Sequence, residues 1–334
     1  MSPRGGGTPG GRTGLATETD PFGPDFRAFL APDADRLSVL ISMLVSRGIP
    51  SQVLAIAGRR HLLVRACHGK PAVILVAHYD RVPGSPGALD NSAACLVLVR
   101  VAERMGSSSL GKNRDRHHGG EGKSQRGGLL ILFTDGEEAP ATEGALSQGA
   151  YSLGLGLKSI LGGGQTPPGG YTNGAPGGQT PRKRATRPAI LVLDVIGKGS
   201  RLLVSTSARR AFEPGEDPEG AAILAGTVTA VRKAAAKAGI GEPLELPLPW
   251  SDDLGFSLAG LPSIGISLLP AAEAERLSRA VSGLALLPGA ETLGKAWPGT
   301  WALTHSPQDS IECLEPEALR AMEDFCLAFC HEAG

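Results

Sequence analysis

The chain has 334 residues, of which 41% are hydrophobic, enough to form one large globular domain or two of ordinary size. Its 33 basic and 33 acidic residues balance, and aromatic residues make up only 4%, so neither charge nor base stacking indicates a nucleic acid partner. No run of about 18 apolar residues is present, which excludes a predicted membrane-spanning helix and gives no reason to expect a membrane partner.

Residues 1–22 are predicted to be a disordered tail, because the first twenty are rich in Gly, Pro, Thr and Arg and lack an apolar run. A signal peptide would need such a run, so we expect a cytoplasmic protein. Residues 23–334 are predicted to form a single domain. The five cysteines show no paired CxxC spacing, which favours reduced core thiols over a disulfide framework.

Strand and helix patterns alternate along this domain. A helix is predicted over Pro32–Arg47, followed by two β-rich runs at Val53–Ala57 and Leu62–Ala66. Four short runs rich in Val, Ile and Leu do not alternate with polar residues, which is typical of central strands covered on both faces: Ala72–Ala77, Leu129–Phe133, Ala189–Leu193 and Ile264–Leu268. Helices are predicted between and after them: Ser92–Met105, Glu219–Ala238 and Pro316–Cys330. This order predicts a three-layer α/β/α sandwich with a mixed, largely parallel central sheet.

Two insertions interrupt the pattern and are predicted to be loops. Residues 106–128 are rich in Ser, Gly and charge, and residues 154–188 are a low-complexity stretch of Gly, Pro, Gln and Thr. The adjacent His117 and His118, and the basic run Arg182–Arg184, are interpreted as solvated loop residues rather than as a metal or anion site.

Each of the first three central strands is followed by a residue that can bind a metal ion. His78 ends the first, Glu137 and Glu138 follow the second, and Asp194 follows the third. The carboxyl ends of strands in an open α/β sheet line the ligand crevice, so these side chains are predicted to converge. Adjacent glutamates point in different directions on an extended chain, so one can bind metal while the other acts as a base.

Two loop residues complete the predicted centre. Asp90 precedes a helix and alone would be interpreted as its N-cap, but it lies 12 residues after His78 on the loop leaving the same strand, where a carboxylate can bridge two ions. His305 precedes the final helix and supplies a second imidazole. Mixed His and carboxylate ligands suit Zn²⁺.

These residues lie in segments that resemble the zinc aminopeptidases of metallopeptidase family 28, which are related to the glutaminyl cyclases. The matching segments, in the family's order, are AHYDRVPGSPGALDNSAA, LLILFTDGEE, ILVLDVIG, SDDLGFSLAGLPSIGIS and THSPQDSI. The combination of segments is specific, whereas each segment alone is not.

The resemblance implies a role for each residue. One metal site would comprise His78, Asp194 and bridging Asp90, and the other Glu138, His305 and the same Asp90. Glu137 would be the general base, and Asp80 would hold the imidazole of His78, as a ligating histidine generally requires. The implied cofactors are two divalent ions, Zn²⁺ first, with Co²⁺ or Mn²⁺ as alternatives.

The chain departs from the family pattern at three points. Thr304 stands where the family often has a tyrosine that can stabilise the oxyanion, and Ser251-Asp252-Asp253 replaces Ser-Asp-His. The usual export signal is missing. Two interpretations of Asp252 are open, a pocket or metal-supporting residue and a helix N-cap. Asp309 is interpreted either as a support for His305 or as a turn residue.

The predicted function is removal of N-terminal residues from a peptide or aminoacyl substrate by metal-dependent hydrolysis. One alternative is a glutaminyl-cyclase-like acyltransferase with one zinc ion. Another is a peptide-binding homologue whose catalysis has decayed. The segment Pro270–Trp301 is predicted to cover the pocket, and the sequence predicts neither side-chain preference nor oligomeric state.

Overall fold

The computed structural model of the protein describes residues 20–67, 69, 71–114, 128–138, 144–161, 187–249 and 251–333. Almost all of the predicted tail lies outside these ranges, as do His117, His118 and the basic run Arg182–Arg184. The strands are β1 (Ser51–Ile56), β2 (Arg59–Arg65), β3 (Pro71–His78), β4 (Gly128–Thr134), β5 (Ala189–Leu193), β6 (Arg201–Ser205), β7 (Leu244–Leu246) and β8 (Ser263–Leu269). The helices are α1 (Pro24–Leu30), α2 (Arg36–Val45), α3 (Ala93–Arg114), α4 (Gly149–Leu161), α5 (Pro218–Lys237), α6 (Asp252–Leu258), α7 (Ala271–Val281), α8 (Ala290–Leu293) and α9 (Pro316–Ala333).

The strands form one mixed sheet in the order β1-β2-β4-β3-β5-β8-β6-β7. The four strands predicted from apolar runs are the adjacent strands β4, β3, β5 and β8, and they are mutually parallel. The pairs β1–β2, β2–β4 and β6–β8 are antiparallel, and β7 joins β6 in parallel. The prediction of a largely parallel centre within a mixed sheet is therefore confirmed.

Helices cover both faces of the sheet. Leu75 and Ala77 of β3 point to a large core shared with α1, α2, α3, α5 and α9, whereas Ile74 and Val76 point to a smaller core shared with α4 and α6. Successive side chains of a strand face opposite sides, so a strand buried on both faces must be apolar throughout. The fold is the predicted three-layer α/β/α sandwich.

Helix starts follow local capping chemistry. The carboxylate of Asp35 accepts a hydrogen bond from the Ser38 backbone N–H, so α2 begins at Arg36 rather than at the predicted Pro32. Asp217 caps α5 in the same way, and Pro218 occupies its first turn.

The two predicted loop insertions are shorter than expected. Helix α3 continues to Arg114, nine residues into 106–128, and α4 continues to Leu161, eight residues into 154–188. The glycines of this segment favoured a loop in the sequence analysis. In the structure, Gly154 lies against the end of α6, where an added Cβ would lie only 2.7 Å from the Cβ of Ala259. This glycine therefore permits close packing of α4 against the end of α6, and packing overrides its low helix propensity.

Six elements lie outside the sequence-based predictions: α1, α4, β6, β7, α7 and α8. The two strands are short and follow turns, so their pairing with the sheet edge depends on neighbours rather than on their own pattern. Within the described ranges, none of the helices combines the length and the apolar character needed to cross a membrane.

Candidate metal centre

Three adjacent parallel strands bring polar side chains to one edge of the sheet. His78 is the last residue of β3, Asp194 directly follows β5, and Glu137 and Glu138 lie in the turn after β4. Because β4, β3 and β5 are neighbours and run in the same direction, their carboxyl ends meet. The convergence expected from the sequence is therefore present for these four side chains.

Asp90 lies between the two histidines and faces each with a different oxygen. Its Oδ1 lies 3.1 Å from Nε2 of His78, and its Oδ2 lies 3.0 Å from Nε2 of His305. Nε2 of His78 also lies 3.7 Å from Oδ1 of Asp194, and Nε2 of His305 lies 3.1 Å from Oε2 of Glu138. The five side chains thus form two groups of three that share Asp90.

Asp80 connects the strand that carries His78 with the turn that carries the two glutamates. Its Oδ1 lies 3.5 Å from Nδ1 of His78. Its carboxylate also accepts hydrogen bonds from the backbone N–H groups of Glu137, at 3.4 Å, and Glu138, at 3.0 Å. One carboxylate therefore orients an imidazole and the β4 turn together.

Asp309 holds the loop of Asp90. Its carboxylate accepts hydrogen bonds from the backbone N–H groups of Leu89, at 2.6 Å, and Asp90, at 3.2 Å. These two hydrogen bonds reach the Asp90 loop instead of His305. Asp309 is also a turn residue, as one interpretation expected, because its backbone N–H donates to the Ser306 oxygen at 3.1 Å. The sequence did not predict the contact of Asp309 with the Asp90 loop, because Asp309 and Asp90 lie 219 positions apart.

Arg36 is a buried residue near the centre that the sequence patterns did not reveal. Its guanidinium donates hydrogen bonds to the backbone oxygen of Tyr79, between His78 and Asp80, and to the hydroxyl of Ser92 at 2.9 Å. It also lies 4.1 Å from the centre of the Phe29 ring. Arg36 therefore ties helix α2 to both ends of the loop that connects β3 with α3 and carries Asp90.

Two residues at the centre have left-handed backbone conformations that non-glycine residues seldom adopt. The φ angle is 59° at His305 and 49° at Val195, directly after Asp194. For a β-branched residue such as Val195 this conformation is a true outlier, and such strain clusters at functional sites.

Gly136 (φ 83°) has a similar conformation, and a Cβ there would lie 2.6 Å from Nε of Arg59. The turn before Glu137 therefore requires glycine.

The centre raises the pKa of both histidines and of Glu137. Burial alone would lower the pKa of His78, but the carboxylates of Asp194, Asp80 and Asp90 outweigh burial and raise it. The carboxylates of Asp90 and Glu138 raise the pKa of His305 to about 10. Burial raises the pKa of Glu137, and the carboxylates of Asp194, Asp252 and Glu138 raise it further. Strongly shifted pKa values of this kind cluster at functional sites.

Several polar atoms at the centre are buried without a hydrogen-bond partner in the described part of the chain. They include both imidazole nitrogens of His78, Oε1 of Glu138 and Oδ1 of Asp194. Buried polar atoms normally have partners, so these point to a group that the side chains would surround. The atoms of His78, Asp90 and Glu138 lie within 4.8 Å of one another and could hold a metal ion. Nitrogen and oxygen donors of this kind fit Zn²⁺.

The residues that depart from the family pattern lie beside the centre. Asp252 begins α6 but is not its N-cap, which is Ser251, so the N-cap interpretation is wrong. Its buried carboxylate instead accepts a hydrogen bond from the hydroxyl of Thr134, at the end of β4. The Thr304 hydroxyl donates to the backbone oxygen of Trp301 at 2.9 Å, so this threonine supports its own turn.

A cavity of about 470 Å³ adjoins the centre. Asp90, Glu137, Asp194 and His305 line it together with apolar residues, and Trp297 and Trp301 also contribute to its wall. These tryptophans lie in the segment predicted to cover the pocket. The cavity is large enough to hold part of a substrate against the centre.

Sequence comparison identifies the family. The model of Peptidase family M28 matches residues 63–330, which covers the sheet from β2 onward and all of the converging side chains. This chain belongs to peptidase family M28. It is therefore a metallopeptidase, and the predicted family is confirmed. Among curated proteins, none matches this chain.

Solved structures show the same fold at low sequence identity. A glutaminyl cyclase from Porphyromonas gingivalis is 15% identical over 94% of this chain and 99% of its own, with a TM-score of 0.56. A Zn-dependent exopeptidase from Parabacteroides distasonis is 17% identical over 91% of this chain and 93% of its own, with a TM-score of 0.55. A zinc aminopeptidase from Bacillus subtilis is 20% identical over 82% of this chain but 50% of its own, with a TM-score of 0.50.

Proposed function

We propose that this M28 metallopeptidase is an aminopeptidase that hydrolyses the bond after the N-terminal residue of a peptide, using two divalent metal ions. The observation that carries the proposal is the position of Asp90, whose two oxygens face two different histidines at 3.1 Å and 3.0 Å. His78, Asp194 and Asp90 would hold one ion, and Glu138, His305 and Asp90 the other. Zn²⁺ fits this donor set, and Co²⁺ or Mn²⁺ are alternatives.

Glu137 would act as the general base. It lines the cavity next to the ligand atoms, and its pKa is raised by burial and by Asp194 and Asp252. Bound ions at such centres lower the pKa of water and polarise the scissile carbonyl. Glu137 would take the proton of the attacking water and return it to the leaving amine. A raised pKa suits this double role, because the same carboxyl group must both accept and release a proton.

The acidic lining of the cavity supports an exopeptidase that acts on N-termini. Asp90, Glu137 and Asp194 face the space that the substrate would occupy. A peptide N-terminus carries a positive charge at neutral pH, which Glu137, the one of these carboxylates that would hold no ion, could attract. Asp80 would orient His78, since its carboxylate lies 3.5 Å from Nδ1.

The test is hydrolysis of aminoacyl-nitroanilides by the Zn²⁺-loaded protein and by its Glu137→Gln variant. Glutamine keeps the size of the side chain but cannot accept the proton, so we expect the rate to fall by about 10²-fold to 10⁴-fold. The exposed Glu216→Gln is the matched control and should retain full activity. Equal activity in Glu137→Gln and the unchanged protein would refute the role of Glu137.

A second candidate function is intramolecular acyl transfer of the glutaminyl cyclase type, with one zinc ion. Two observations favour keeping it: His78, Asp90 and Glu138 alone could hold an ion, and a glutaminyl cyclase is among the structural neighbours. Metal analysis of the purified protein separates the candidates. Two ions per chain support the peptidase, whereas one ion and cyclisation of an N-terminal glutamine support the cyclase. Binding of amino-acid hydroxamates without turnover would favour a decayed homologue.

A further inference from the structure

The cavity beside the metal centre extends across the sheet, away from the metal ligands. Its lining runs from Asp194, after β5, over Ile266 of β8 to Ser205 at the end of β6. The backbone N–H of Asp194 donates to the oxygen of Ile266 at 3.0 Å, and Ile266 pairs with Val204, the neighbour of Ser205. Two strand spacings separate the ends of this path, which is about 10 Å. The path suits a long side chain better than a short one.

The wall of the cavity is largely apolar. Leu248, Ile266, Trp297 and Trp301 contribute to it, and the two tryptophan rings meet edge to face at 5.4 Å. An apolar wall of this kind can pack against the methylene groups of a substrate side chain. Tryptophan rings also attract cations through their electron-rich faces.

A carboxylate lies at the far part of the cavity. Asp253 is 3% exposed, lines the cavity together with Ser205, and accepts a hydrogen bond from the backbone N–H of Gly265 at 3.2 Å. A Cβ on Gly265 would come within 3.0 Å of Oδ2, so glycine makes room for the carboxylate. Ser251, which also lines the cavity, has a buried hydroxyl without a partner in the described ranges.

Hydrogen bonding alone does not explain a charged side chain at position 253. Asparagine could accept the same hydrogen bond from Gly265, whereas a buried carboxylate is costly unless a cation pairs with it. Within the described residues, no lysine or arginine lines the cavity, and its other acidic members are Asp90, Glu137 and Asp194. A cation that enters with the substrate would favour the ionised form of Asp253.

We infer that Asp253 makes this protein selective for peptides whose N-terminal residue is lysine or arginine. The stem of three or four methylene groups would lie along Leu248 and the tryptophans, and the ammonium or guanidinium group would meet Asp253. This inference rests on the proposed aminopeptidase function and names its substrate class. Asp253 stands where the family pattern has histidine, so the preference belongs to this chain.

The test compares kcat/KM for the nitroanilides of lysine, arginine, glutamine and leucine in the Zn²⁺-loaded protein and in Asp253→Asn. We expect the unchanged protein to favour lysine and arginine over leucine, and Asp253→Asn to lower that ratio by about tenfold or more. The control Asp217→Asn removes a carboxylate at the start of α5, outside the cavity lining, and should leave the ratio unchanged.

The inference is overturned if the lysine-to-leucine ratio is the same in Asp253→Asn, or if leucine or glutamine is the better substrate of the unchanged protein. A binding measurement distinguishes an error in the inferred selectivity from an error in the proposed aminopeptidase function. If none of the nitroanilides is cleaved, lysine hydroxamate and leucine hydroxamate are titrated into the Zn²⁺-loaded protein by calorimetry. Tighter binding of the lysine compound, lost in Asp253→Asn, upholds the selectivity, and equal binding refutes it.

Discussion

Individual acidic residues at the centre fall into two groups with opposite protonation behaviour. Burial opposes ionisation of Asp80 and Asp90, but their histidine partners outweigh it and lower their pKa values. Burial raises the pKa of Glu137, and it raises the pKa of Asp252 and of Asp253 to about 7. The first group pairs with imidazoles, and the second lacks a cation of its own. Proximity to a histidine, which sequence order does not reveal, therefore lowers the pKa of Asp80 and Asp90. At Glu138 burial outweighs the same influence, and the pKa is raised although His305 lies 3.1 Å away.

The pKa of Asp253 predicts a dependence of stability on pH. In the unfolded chain this carboxyl has a pKa of about 3.9, so between about pH 4 and pH 7 the folded state binds more protons than the unfolded state. The free energy of unfolding therefore falls as pH rises through this window. Asparagine stays neutral and avoids the loss, so metal-free Asp253→Asn should gain roughly 3 kcal/mol relative to the unchanged protein between pH 4 and pH 8.

Urea unfolding of the metal-free proteins at several pH values measures this gain. The exposed Asp33→Asn serves as the control and should show no comparable pH-dependent gain. The prediction is contradicted if the free energy of unfolding of Asp253→Asn differs from that of the unchanged protein by the same amount at every pH from 4 to 8. The carboxyl group of Asp253 would then not titrate near neutral pH.

At the level of elements, helix α2 supports the centre although it precedes the matched family segment 63–330. Arg36 in its first turn is 6% exposed, and burial lowers its pKa to about 10. It reaches both ends of the loop between β3 and α3. Arg81 adds a second connection, since its guanidinium donates to the backbone oxygens of Leu30, Ala31 and Pro32.

Replacing Arg36 by methionine should weaken both folding and metal binding. The substitution retains packing against Phe29 but leaves the Tyr79 oxygen and the Ser92 hydroxyl without their donor, which should lower the free energy of unfolding by about 2–4 kcal/mol. Loss of this support should weaken Zn²⁺ binding by about tenfold or more. Chemical denaturation and competition with a zinc chelator measure the two effects.

Arg47→Met is the matched control for Arg36→Met, because Arg47 follows α2 and pairs with Asp25 and Glu103 at the surface. Exposed ion pairs contribute little, so its effect should stay below about 1 kcal/mol, with unchanged Zn²⁺ affinity. Arg36→Lys should be intermediate, since lysine keeps the charge but lacks the planar fork. Normal Zn²⁺ affinity in Arg36→Met would show that α2 only stabilises the fold.

At the scale of the whole molecule, the centre is assembled from segments distributed over most of the chain. His78 and His305 are 227 positions apart and meet through Asp90. An ion held by such residues binds the folded state alone, and metal binding is thereby coupled to folding.

Zn²⁺ should therefore raise the melting temperature of the unchanged protein. At a free concentration 100 times the dissociation constant, the stabilisation is about 2.7 kcal/mol. Asp90→Asn removes the shared carboxylate and should lose most of this effect, whereas Asp33→Asn should keep it. Calorimetry with and without a chelator measures the shift. The same shift in Asp90→Asn and the unchanged protein would place the Zn²⁺ outside the proposed centre.

The sequence by itself determined the central sheet and the candidate side chains. The runs of β3, β4, β5 and β8 are apolar throughout because both of their faces are buried, and this pattern is local. His78, Glu138 and Asp194 could be found because they follow such runs directly. The motifs around Asp90 and His305 resembled a family, and the family match agrees with that resemblance.

Only the tertiary structure decided which long-range contacts support those side chains. Three of these hydrogen-bonded contacts join segments that lie 43 to 219 positions apart. They connect Asp309 with the Asp90 loop, Asp252 with Thr134, and Arg36 with Tyr79. No local periodicity encodes such contacts, because each depends on how layers pack around the sheet. Helix α4 and the C-terminal end of α3 escaped prediction for the same reason. Local pattern specifies what a segment buries, and packing decides which neighbour it meets.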